Sequence, residues 1–374
     1  MRTPRRPHLL VLVHGVHGEA TDFSLVSSLL RKPHLSVLSS RASRSASGST
    51  ADGIERAGER VANEIASACD ALSADGGDIT FVGHSNGGLV SRWALGALEE
   101  RGVLERWRPN AFVSLSSPHL GVSRKGGVGA NPLEHEVLQP VVLRVVNTGL
   151  YGRTGEQLAL LDADGDGGEP LLASMARPGS AFVRALGRFH RRVLVCNVTN
   201  EVLVPFYSAA LSPPPSGYTP LSLARTPRLS TNVLGCRVLA PAVEAEGDGG
   251  GLGATRLAML RGLRGAGSWH RVDVDFGAKG ALGLSHWLVV GKGVGAAGVK
   301  PRGTPSAVGS DTALHRARDT FALALARALD ALKVSDRSSD VARFVAAEAA
   351  LQPTEYGAEI DELRGFRAVQ ARSD

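Results

Sequence analysis

The stretch Ile79–Gly88 reads Ile-Thr-Phe-Val-Gly-His-Ser-Asn-Gly-Gly. A short apolar run leads into a Gly-x-Ser-x-Gly motif, and the amphipathic segment Leu89–Glu100 follows at once. A strand, a sharp turn and a helix are the setting in which this motif forms a nucleophile elbow. Because a Cβ at Gly83 or Gly87 would clash where strand and helix meet, we predict a tight turn with the Ser85 hydroxyl exposed at its apex. The simpler alternative is a strand-to-helix turn with an idle serine.

Apolar runs without polar alternation recur on both sides of this motif. Such runs are typical of central parallel strands that are covered on both faces. They lie at His8–Val13, Asn110–Ser116 and Arg191–Asn197. The segment Asp52–Leu72 has apolar residues at helical spacing and predicts a crossover helix. This alternation of strands and helices predicts an α/β fold with a mainly parallel, doubly wound sheet.

We predict one catalytic domain over residues 1–333, followed by a tail. Residues 122–190 lose clear periodicity and are expected to form a lid above the carboxyl ends of the strands. Residues 212–266 are rich in Pro and Gly, so we expect most of this insertion to be irregular. Residues 334–374 are polar and charged, and we expect a C-terminal tail with a short helix.

Composition and charge exclude several classes of protein. The 374-residue chain has a net charge of +6, and neither basic-aromatic alternation nor zinc-ligand spacing accompanies its arginines. This argues against a nucleic-acid partner and leaves peripheral contact with an anionic membrane open. No apolar run is long enough to span a bilayer. Cys69, Cys196 and Cys236 are far apart and odd in number, so we expect buried or free thiols in a reducing compartment. Because the first predicted strand begins at His8, the preceding residues are too few for a cleaved signal. We therefore expect an intracellular, cytoplasmic protein, and membrane association stays open.

The serine motif calls for two further residues. A serine hydroxyl becomes a nucleophile when a histidine takes its proton and a buried carboxylate holds that histidine in the right tautomer. In α/β-hydrolases the chain order is serine, acid, histidine. Glu201 fits the acid because it directly follows a buried strand. Asp162, Asp164 and Asp166 lie in the predicted lid and are poorer candidates, and a solvated loop carboxylate is the alternative interpretation of Glu201.

Three histidines compete for the role of the base. His286 follows the last predicted strand, Trp269–Phe276, by one loop, which is where the base belongs. His315 lies in a predicted helix, Asp311–Leu332, where a histidine is more often a packing residue. His270 lies inside the strand and would point wherever the pleat directs it. We favour His286 and keep His315 as the alternative base.

The first strand runs directly into the turn His14-Gly15-Val16-His17-Gly18. A His-Gly turn at this place supplies one oxyanion-hole amide in α/β-hydrolases, and the residue after the nucleophile supplies the second. We predict the N–H of Val16, or less favourably that of His17, as the first donor and the N–H of Asn86 as the second. Losing one such donor costs about 3–4 kcal/mol in acyl transfer. The side chains of His14 and His17 are expected only to shape the turn.

The chemistry predicted here needs no cofactor and no metal. Asp162–Gly167 matches the opening of a calcium-binding EF-hand loop, but its twelfth position would be Ala173 instead of the bidentate glutamate. The Gly-rich run Asp248–Gly253 has neither a preceding strand nor a following Lys-Ser/Thr, so it does not indicate phosphate binding.

Several blocks of the sequence resemble the lipase-like family of serine esterases that includes the Rog-type lipases. These blocks are Leu-Val-Leu-Val-His-Gly-Val-His-Gly (10–18), Asp-Gly-Ile-Glu-Arg-Ala-Gly-Glu-Arg (52–60), Phe-Val-Gly-His-Ser-Asn-Gly-Gly-Leu (81–89), Ser-Ser-Pro-His-Leu-Gly (116–121), Thr-Gly-Glu-Gln-Leu-Ala-Leu-Leu-Asp (154–162) and Phe-His-Arg-Arg-Val-Leu-Val-Cys-Asn-Val (189–198). The resemblance implies an α/β-hydrolase fold, an esterase or lipase acting on acyl esters, and Ser85 as the nucleophile. The family usually has Asp where this chain has Glu201.

The predicted function is a serine carboxylester hydrolase that forms an acyl-enzyme, with an acyl ester or lipid as its substrate. Two other functions stay open. An acyltransferase would use the same residues and pass the acyl group to an alcohol instead of water. A catalytically inactive relative would serve as a binding module, and the glutamate in place of the usual aspartate favours that interpretation.

Overall fold

A computed structural model describes most of the predicted strands and the segments that connect them. The described residues are 6–30, 34–122, 151–163, 168–199, 201–212, 233–241, 252–276, 285–290, 341–342 and 344–347. The predicted helix at Asp311–Leu332 and part of the predicted lid lie outside them.

The described strands form one mainly parallel sheet. They are β1 (His8–Val13), β2 (Leu35–Ser39), β3 (Gly77–His84), β4 (Trp107–Leu115), β5 (Arg191–Asn197), β6 (Val233–Leu239) and β7 (Trp269–Val274). Their order in the seven-stranded sheet is β2-β1-β3-β4-β5-β7-β6, and every pair is parallel except β6 with β7. The parallel strands therefore end at one edge of the sheet, where ligands bind in folds of this kind. This arrangement confirms the predicted mainly parallel sheet.

Helices follow the strands and cover the sheet. They are a 3-10 turn (Ala20–Phe23), α1 (Ser24–Leu29), α2 (Ile54–Leu72), α3 (Asn86–Glu100), α4 (Val103–Arg106), α5 (Gly152–Ala159), α6 (Leu171–Ser174), α7 (Ala181–Gly187), α8 (Phe206–Ala210), α9 (Ala254–Gly265) and α10 (Ser285–Leu288). The predicted crossover helix at Asp52–Leu72 corresponds to α2. None of the helices in the described ranges combines the length and the hydrophobicity needed to cross a membrane.

Alternate residues of β1 enter two different cores. Leu9 and Val11 pack on one face of the sheet with buried side chains of α2 and α3. Leu10 and Leu12 belong to a second core, which contains Phe23 from the 3-10 turn. Because both faces are buried, the strand needs no polar alternation, which explains its uninterrupted apolar run.

Part of the predicted lid belongs to the helical layer of the fold. Within residues 122–190, α7 packs against α3: the Phe182 ring lies 5.1 Å from the Trp93 ring, centroid to centroid. A Cβ at Gly96 would lie 2.2 Å from the Phe182 ring, so the two helices are in close contact. The lid prediction is wrong for this stretch, because a seven-residue helix is too short to give a clear helical period.

The predicted irregular insertion at residues 212–266 contains two regular elements. β6 pairs antiparallel with β7 at the edge of the sheet, and α9 buries Met259, Leu260 and Leu263 against the core. The prediction that most of this segment is irregular did not include these two elements. Pro and Gly residues dominate the composition of the whole segment, so its composition does not indicate the short strand and the helix.

The C-terminal segment is also more closely packed than predicted. Residues 341–342 and 344–347 are helical, which agrees with the short helix expected there. However, Val341, Ala342 and Val345 are fully buried in the core that contains Leu10 and Leu12. This part of the chain lies against the sheet, so the prediction of a tail beyond the catalytic domain is wrong for these residues.

Candidate active site

The turn between β3 and α3 has the geometry of a nucleophile elbow. Ser85 adopts φ 55° and ψ −128°, a left-handed region that non-glycine residues rarely occupy. Its neighbours allow the strand and the helix to meet: a Cβ at Gly83 would lie 2.6 Å from the Gly88 Cα, and one at Gly87 would lie 2.1 Å from the Val13 carbonyl oxygen. Ser85 itself lies at the apex of this turn and is half-buried.

Gly87→Ala is expected to destabilise the fold by about 3 kcal/mol, since the added methyl group would overlap the backbone of β1. Urea unfolding followed by circular dichroism measures this loss. Gly265→Ala is the matched control, because a Cβ at Gly265 meets nothing within 4 Å and alanine favours the helix. Equal stability of the two variants would contradict the close contact at the elbow.

The turn after β1 lies directly beside the elbow. A Cβ at Gly15 would lie 2.8 Å from the Ser85 Cβ, so only a glycine backbone fits at this point. His14 is buried and holds the turn, with Nδ1 3.0 Å from the Gly15 carbonyl oxygen and Nε2 2.7 Å from the Ser43 hydroxyl. The His14 side chain therefore has the shaping role that was expected of it. His17 is exposed, and its ring lies 5.2 Å from the Tyr151 ring, centroid to centroid, with the two planes tilted by 49°.

The two candidate donors of this turn differ in their contacts. The His17 N–H donates to the Thr50 hydroxyl at 2.8 Å, so this amide is already engaged. No acceptor for the Val16 N–H is present among the described residues. The Asn86 N–H belongs to the first residue of α3, where an amide has no partner within its own helix. The geometry therefore favours Val16 over His17, with Asn86 as the second donor.

Thr50 connects this turn to α5. The Thr154 hydroxyl donates to the Thr50 carbonyl at 3.0 Å and accepts the Gly53 N–H at 3.1 Å. Gln157 of the same helix accepts the N–H of Ile54, the first residue of α2, at 2.7 Å. The Thr-Gly-Glu-Gln-Leu block thus fixes the segment that engages the His17 amide.

Glu201 and His286 form a buried pair at the carboxyl edge of the sheet. The His286 Nδ1 lies 3.0 Å from the Glu201 Oε2, and the two side chains are only 4% and 6% exposed. The carboxylate accepts a hydrogen bond from the Nδ1–H group, which leaves Nε2 of the neutral imidazole as a proton acceptor. The structure thus brings together the acid and the base that the sequence favoured.

The surroundings of Glu201 do not fit a solvated loop carboxylate. Its Oε1 accepts the N–H groups of Leu203 at 3.1 Å and Val204 at 3.2 Å. Its Oε2 accepts the Asn197 side-chain amide at 2.8 Å in addition to the imidazole. Asn197, the last residue of β5, also donates to the Ser116 hydroxyl at 3.0 Å. Both carboxylate oxygens are therefore held by the fold in a fixed orientation.

His286 also contacts the residue before the candidate nucleophile. Its ring centroid lies 4.8 Å from that of His84, and its carbonyl oxygen lies 2.7 Å from the His84 Nε2. In the described part of the chain, no hydrogen bond joins the Ser85 hydroxyl to the His286 imidazole. Such contacts are often long in unliganded enzymes and tighten once substrate is bound.

The other candidates are not brought to this site. His270 is the second residue of β7, and its place in the strand is about 13 Å from the carboxyl end. Burial and then the neighbouring Arg191 and Arg192 lower the pKa of His270 to about 4. Asp162 accepts the N–H of Leu171 at 3.0 Å. Asp164, Asp166 and His315 lie outside the described residues.

His119, in the Ser-Ser-Pro-His-Leu-Gly block, is a structural residue. It is fully buried, and its Nε2 lies 2.8 Å from the Ser114 hydroxyl. Burial, with a contribution from the positive charge of Arg92, lowers the pKa of His119 well below its usual value. Its carbonyl oxygen accepts the Arg92 guanidinium at 3.3 Å. This histidine therefore anchors the loop after β4 and stays neutral.

Three residues of the site escaped the sequence analysis: His84, Asn197 and Thr50. His84 lies inside the Gly-x-Ser-x-Gly motif, and Asn197 is a polar residue at the end of a buried strand. These two positions could have indicated from the sequence that His84 and Asn197 belong to the site. Thr50 lies in a polar loop and gives no comparable signal.

Residues 3–213 match the family described as "Putative serine esterase (DUF676)". The chain is 31% identical over 215 residues to "Putative lipase ROG1" of Saccharomyces cerevisiae, which covers 55% of this chain and 29% of that protein. It is 28% identical over 218 residues to "Putative lipase C4A8.10" of Schizosaccharomyces pombe, covering 55% of this chain and 26% of that protein. The chain thus spans less than a third of the length of these relatives.

Two solved structures are similar to parts of the chain. An α/β-hydrolase fold protein from Nakamurella multipartita is 17% identical with a TM-score of 0.27, over 56% of this chain and 81% of that one. A lipase-esterase related protein from Clostridium acetobutylicum is 14% identical with a TM-score of 0.26, over 51% and 75%. The family match covers more than half of the sequence. The chain therefore belongs to this serine esterase family, and its mainly parallel sheet, flanking helices and elbow turn are those of an α/β-hydrolase fold.

Proposed function

We propose that the protein is a serine carboxylester hydrolase that cleaves acyl esters of lipids through an acyl-enzyme. The observation that carries this proposal is the buried Glu201–His286 pair beside an elbow that presents a strained, half-buried serine. An oriented imidazole next to such a hydroxyl is the arrangement that acyl transfer requires.

The proposed reaction begins with attack of the Ser85 Oγ on the ester carbonyl carbon. The His286 Nε2 takes the hydroxyl proton, and Glu201 stabilises the imidazolium that forms. The N–H groups of Val16 and Asn86 donate to the oxyanion. When the tetrahedral intermediate collapses, the carbon–oxygen bond to the alcohol breaks, and the alcohol leaves with the proton from Nε2. Water then repeats these steps on the acyl-enzyme and releases the acid.

The choice of a lipid ester rests on the family. The relatives reported above are described as putative lipases, and the family resemblance extends through the blocks that form the site. We propose that the substrate is an acyl ester and that the protein is intracellular. We also propose that the protein reaches this substrate through peripheral contact with membranes. No step of this mechanism requires a cofactor.

The test uses an activity-based fluorophosphonate probe and short-chain p-nitrophenyl esters. We expect the purified chain to be labelled, the labelled peptide to contain Ser85, and the esters to be turned over. Absence of both labelling and turnover would favour the inactive binding module. Analysis of products with a lipid alcohol present separates hydrolysis from acyl transfer, because only a transferase forms a new ester.

Glu201→Gln is expected to lower kcat about 10⁴-fold, because the imidazole loses the tautomer that accepts the serine proton. Each carboxylate oxygen accepts hydrogen bonds, so either orientation of the glutamine amide places an NH₂ group against other donors. Glu105→Gln changes an exposed carboxylate of α4 and is the matched control. Steady-state kinetics on p-nitrophenyl acetate measure kcat for both variants. A kcat of Glu201→Gln within tenfold of wild type would remove Glu201 from the mechanism.

A further inference from the structure

His84 makes a contact that the proposed mechanism does not use. It is the last residue of β3, is buried, and lies directly before Ser85. Its Nε2 lies 2.7 Å from the His286 carbonyl oxygen. A carbonyl oxygen only accepts hydrogen bonds, so the His84 Nε2 carries the proton and donates it. The residue before the candidate nucleophile is therefore tied to the main chain of the candidate base.

The element that carries His286 is short. α10 has four residues, Ser285–Leu288. Among the described residues, the Val289 N–H donates to the Ser285 carbonyl and the Val290 N–H donates to the Trp287 carbonyl at the end of this helix. The His286 carbonyl is not the acceptor in either of them. His84 therefore supplies a main-chain anchor for the base, whereas Glu201 supplies the side-chain anchor.

β3 is a suitable source of such an anchor. It lies between β1 and β4 in the sheet, and His84 itself pairs in register with Leu115 of β4. The same strand delivers Ser85 through the elbow. A displacement of the base relative to the nucleophile by about 1 Å lowers catalytic rates roughly 100-fold. An anchor that runs from the nucleophile strand to the base fixes this separation.

We propose that His84 is a positioning residue, which holds the main chain of His286 at a set distance from Ser85 by donating its Nε2 proton to the His286 carbonyl. The proposal rests on the proposed function, because it assigns His84 a part in the same proton transfer. The His84 ring, packed against the His286 ring at a centroid distance of 4.8 Å, limits sideways movement of the imidazole.

The kinetic test compares His84→Leu with His84→Gln. Glutamine places an N–H donor near the position of Nε2, whereas leucine fills similar space without a donor. We expect His84→Leu to lower kcat about 10- to 100-fold with little change in KM, and His84→Gln to recover most of that loss. The proposal is overturned if His84→Leu keeps the kcat of wild type or if glutamine restores nothing.

His8→Leu is the control for loss of a buried histidine. His8 is 1% exposed and is the first residue of β1, at the end of the strand opposite the carboxyl end where the candidate site lies. Its Nε2 lies 2.9 Å from the Thr80 hydroxyl. We expect this variant to lose stability and to keep the kcat of wild type. A fall in kcat equal to that of His84→Leu would assign both effects to general destabilisation.

A measurement without substrate separates this proposal from the proposed function. Nuclear magnetic resonance of isotope-labelled histidine side chains reports which ring nitrogen carries a proton. We expect His84 to be protonated on Nε2, and the His286 Nδ1 proton signal to broaden or shift in His84→Leu but not in His8→Leu. If wild type and the two variants show this pattern while wild type fails to react with the fluorophosphonate, the proposed function is wrong and the anchor stands. A proton on the His84 Nδ1 alone would refute the anchor whatever the activity.

Discussion

Ser85→Ala is expected to lower kcat for an acyl ester by about 10⁶-fold, because no other group in the proposed mechanism can form the acyl-enzyme. The change removes one half-buried oxygen and keeps the Cβ, so the strained backbone at φ 55° is as accessible to alanine as to serine. We expect the free energy of unfolding to change by less than about 0.5 kcal/mol. Single-turnover and steady-state kinetics on p-nitrophenyl esters, with urea unfolding, measure both quantities.

The matched control for this prediction is Ser67→Ala. The Ser67 hydroxyl is exposed and donates to the Asn63 carbonyl within α2, remote from the elbow. This variant should keep both the rate and the fluorophosphonate labelling of wild type. A Ser85→Ala enzyme that labels as well as wild type would move the nucleophile elsewhere in the chain.

The elements around the elbow were predictable because their signals are local. The runs at β1, β4 and β5 are apolar without alternation, which two-faced burial requires. The glycines of the motif also have a local cause, since Gly83 contacts the backbone of Gly88 only a few residues away. The mainly parallel sheet and the elbow therefore followed from short stretches of sequence.

The elements that the sequence analysis missed depend on contacts between distant segments. α7 is a seven-residue helix whose place is set by packing on α3, and β6 is set by pairing with β7. Neither has a period long enough to be recognised alone. Val341 and Val345 are buried against the sheet, although the stretch around them is polar and charged in composition.

Some residues of the site were also predictable from local signals, whereas others depend on contacts between distant segments. Ser85, Glu201 and His286 were predicted because the chain order of such residues is fixed and each follows a strand. The contact of His84 with His286 joins residues 202 positions apart, so it could not be predicted from spacing. Thr50, which engages the His17 amide 33 positions away, is a similar case.

His286→Ala is expected to lower kcat about 10⁶-fold, whereas His315→Ala should keep nearly the full rate. The physical reason is orientation: the His286 Nδ1 is bonded to Glu201, which leaves Nε2 as the proton acceptor. Removing the imidazole leaves a buried carboxylate with fewer partners, and we expect a loss of about 1–3 kcal/mol in the free energy of unfolding. Steady-state kinetics and urea unfolding of both variants measure these changes.

A double variant tests whether the base and the acid act together. If Glu201 works only through His286, then Glu201→Gln should cost about 10⁴-fold in wild type and almost nothing in His286→Ala. Additive losses would instead mean that Glu201 contributes to catalysis by another route, since independent groups add their free energies. Full activity in His286→Ala combined with a large loss in His315→Ala would transfer the role of the base to His315. In that case the buried pair at 3.0 Å would be a structural contact between the loop after β5 and α10.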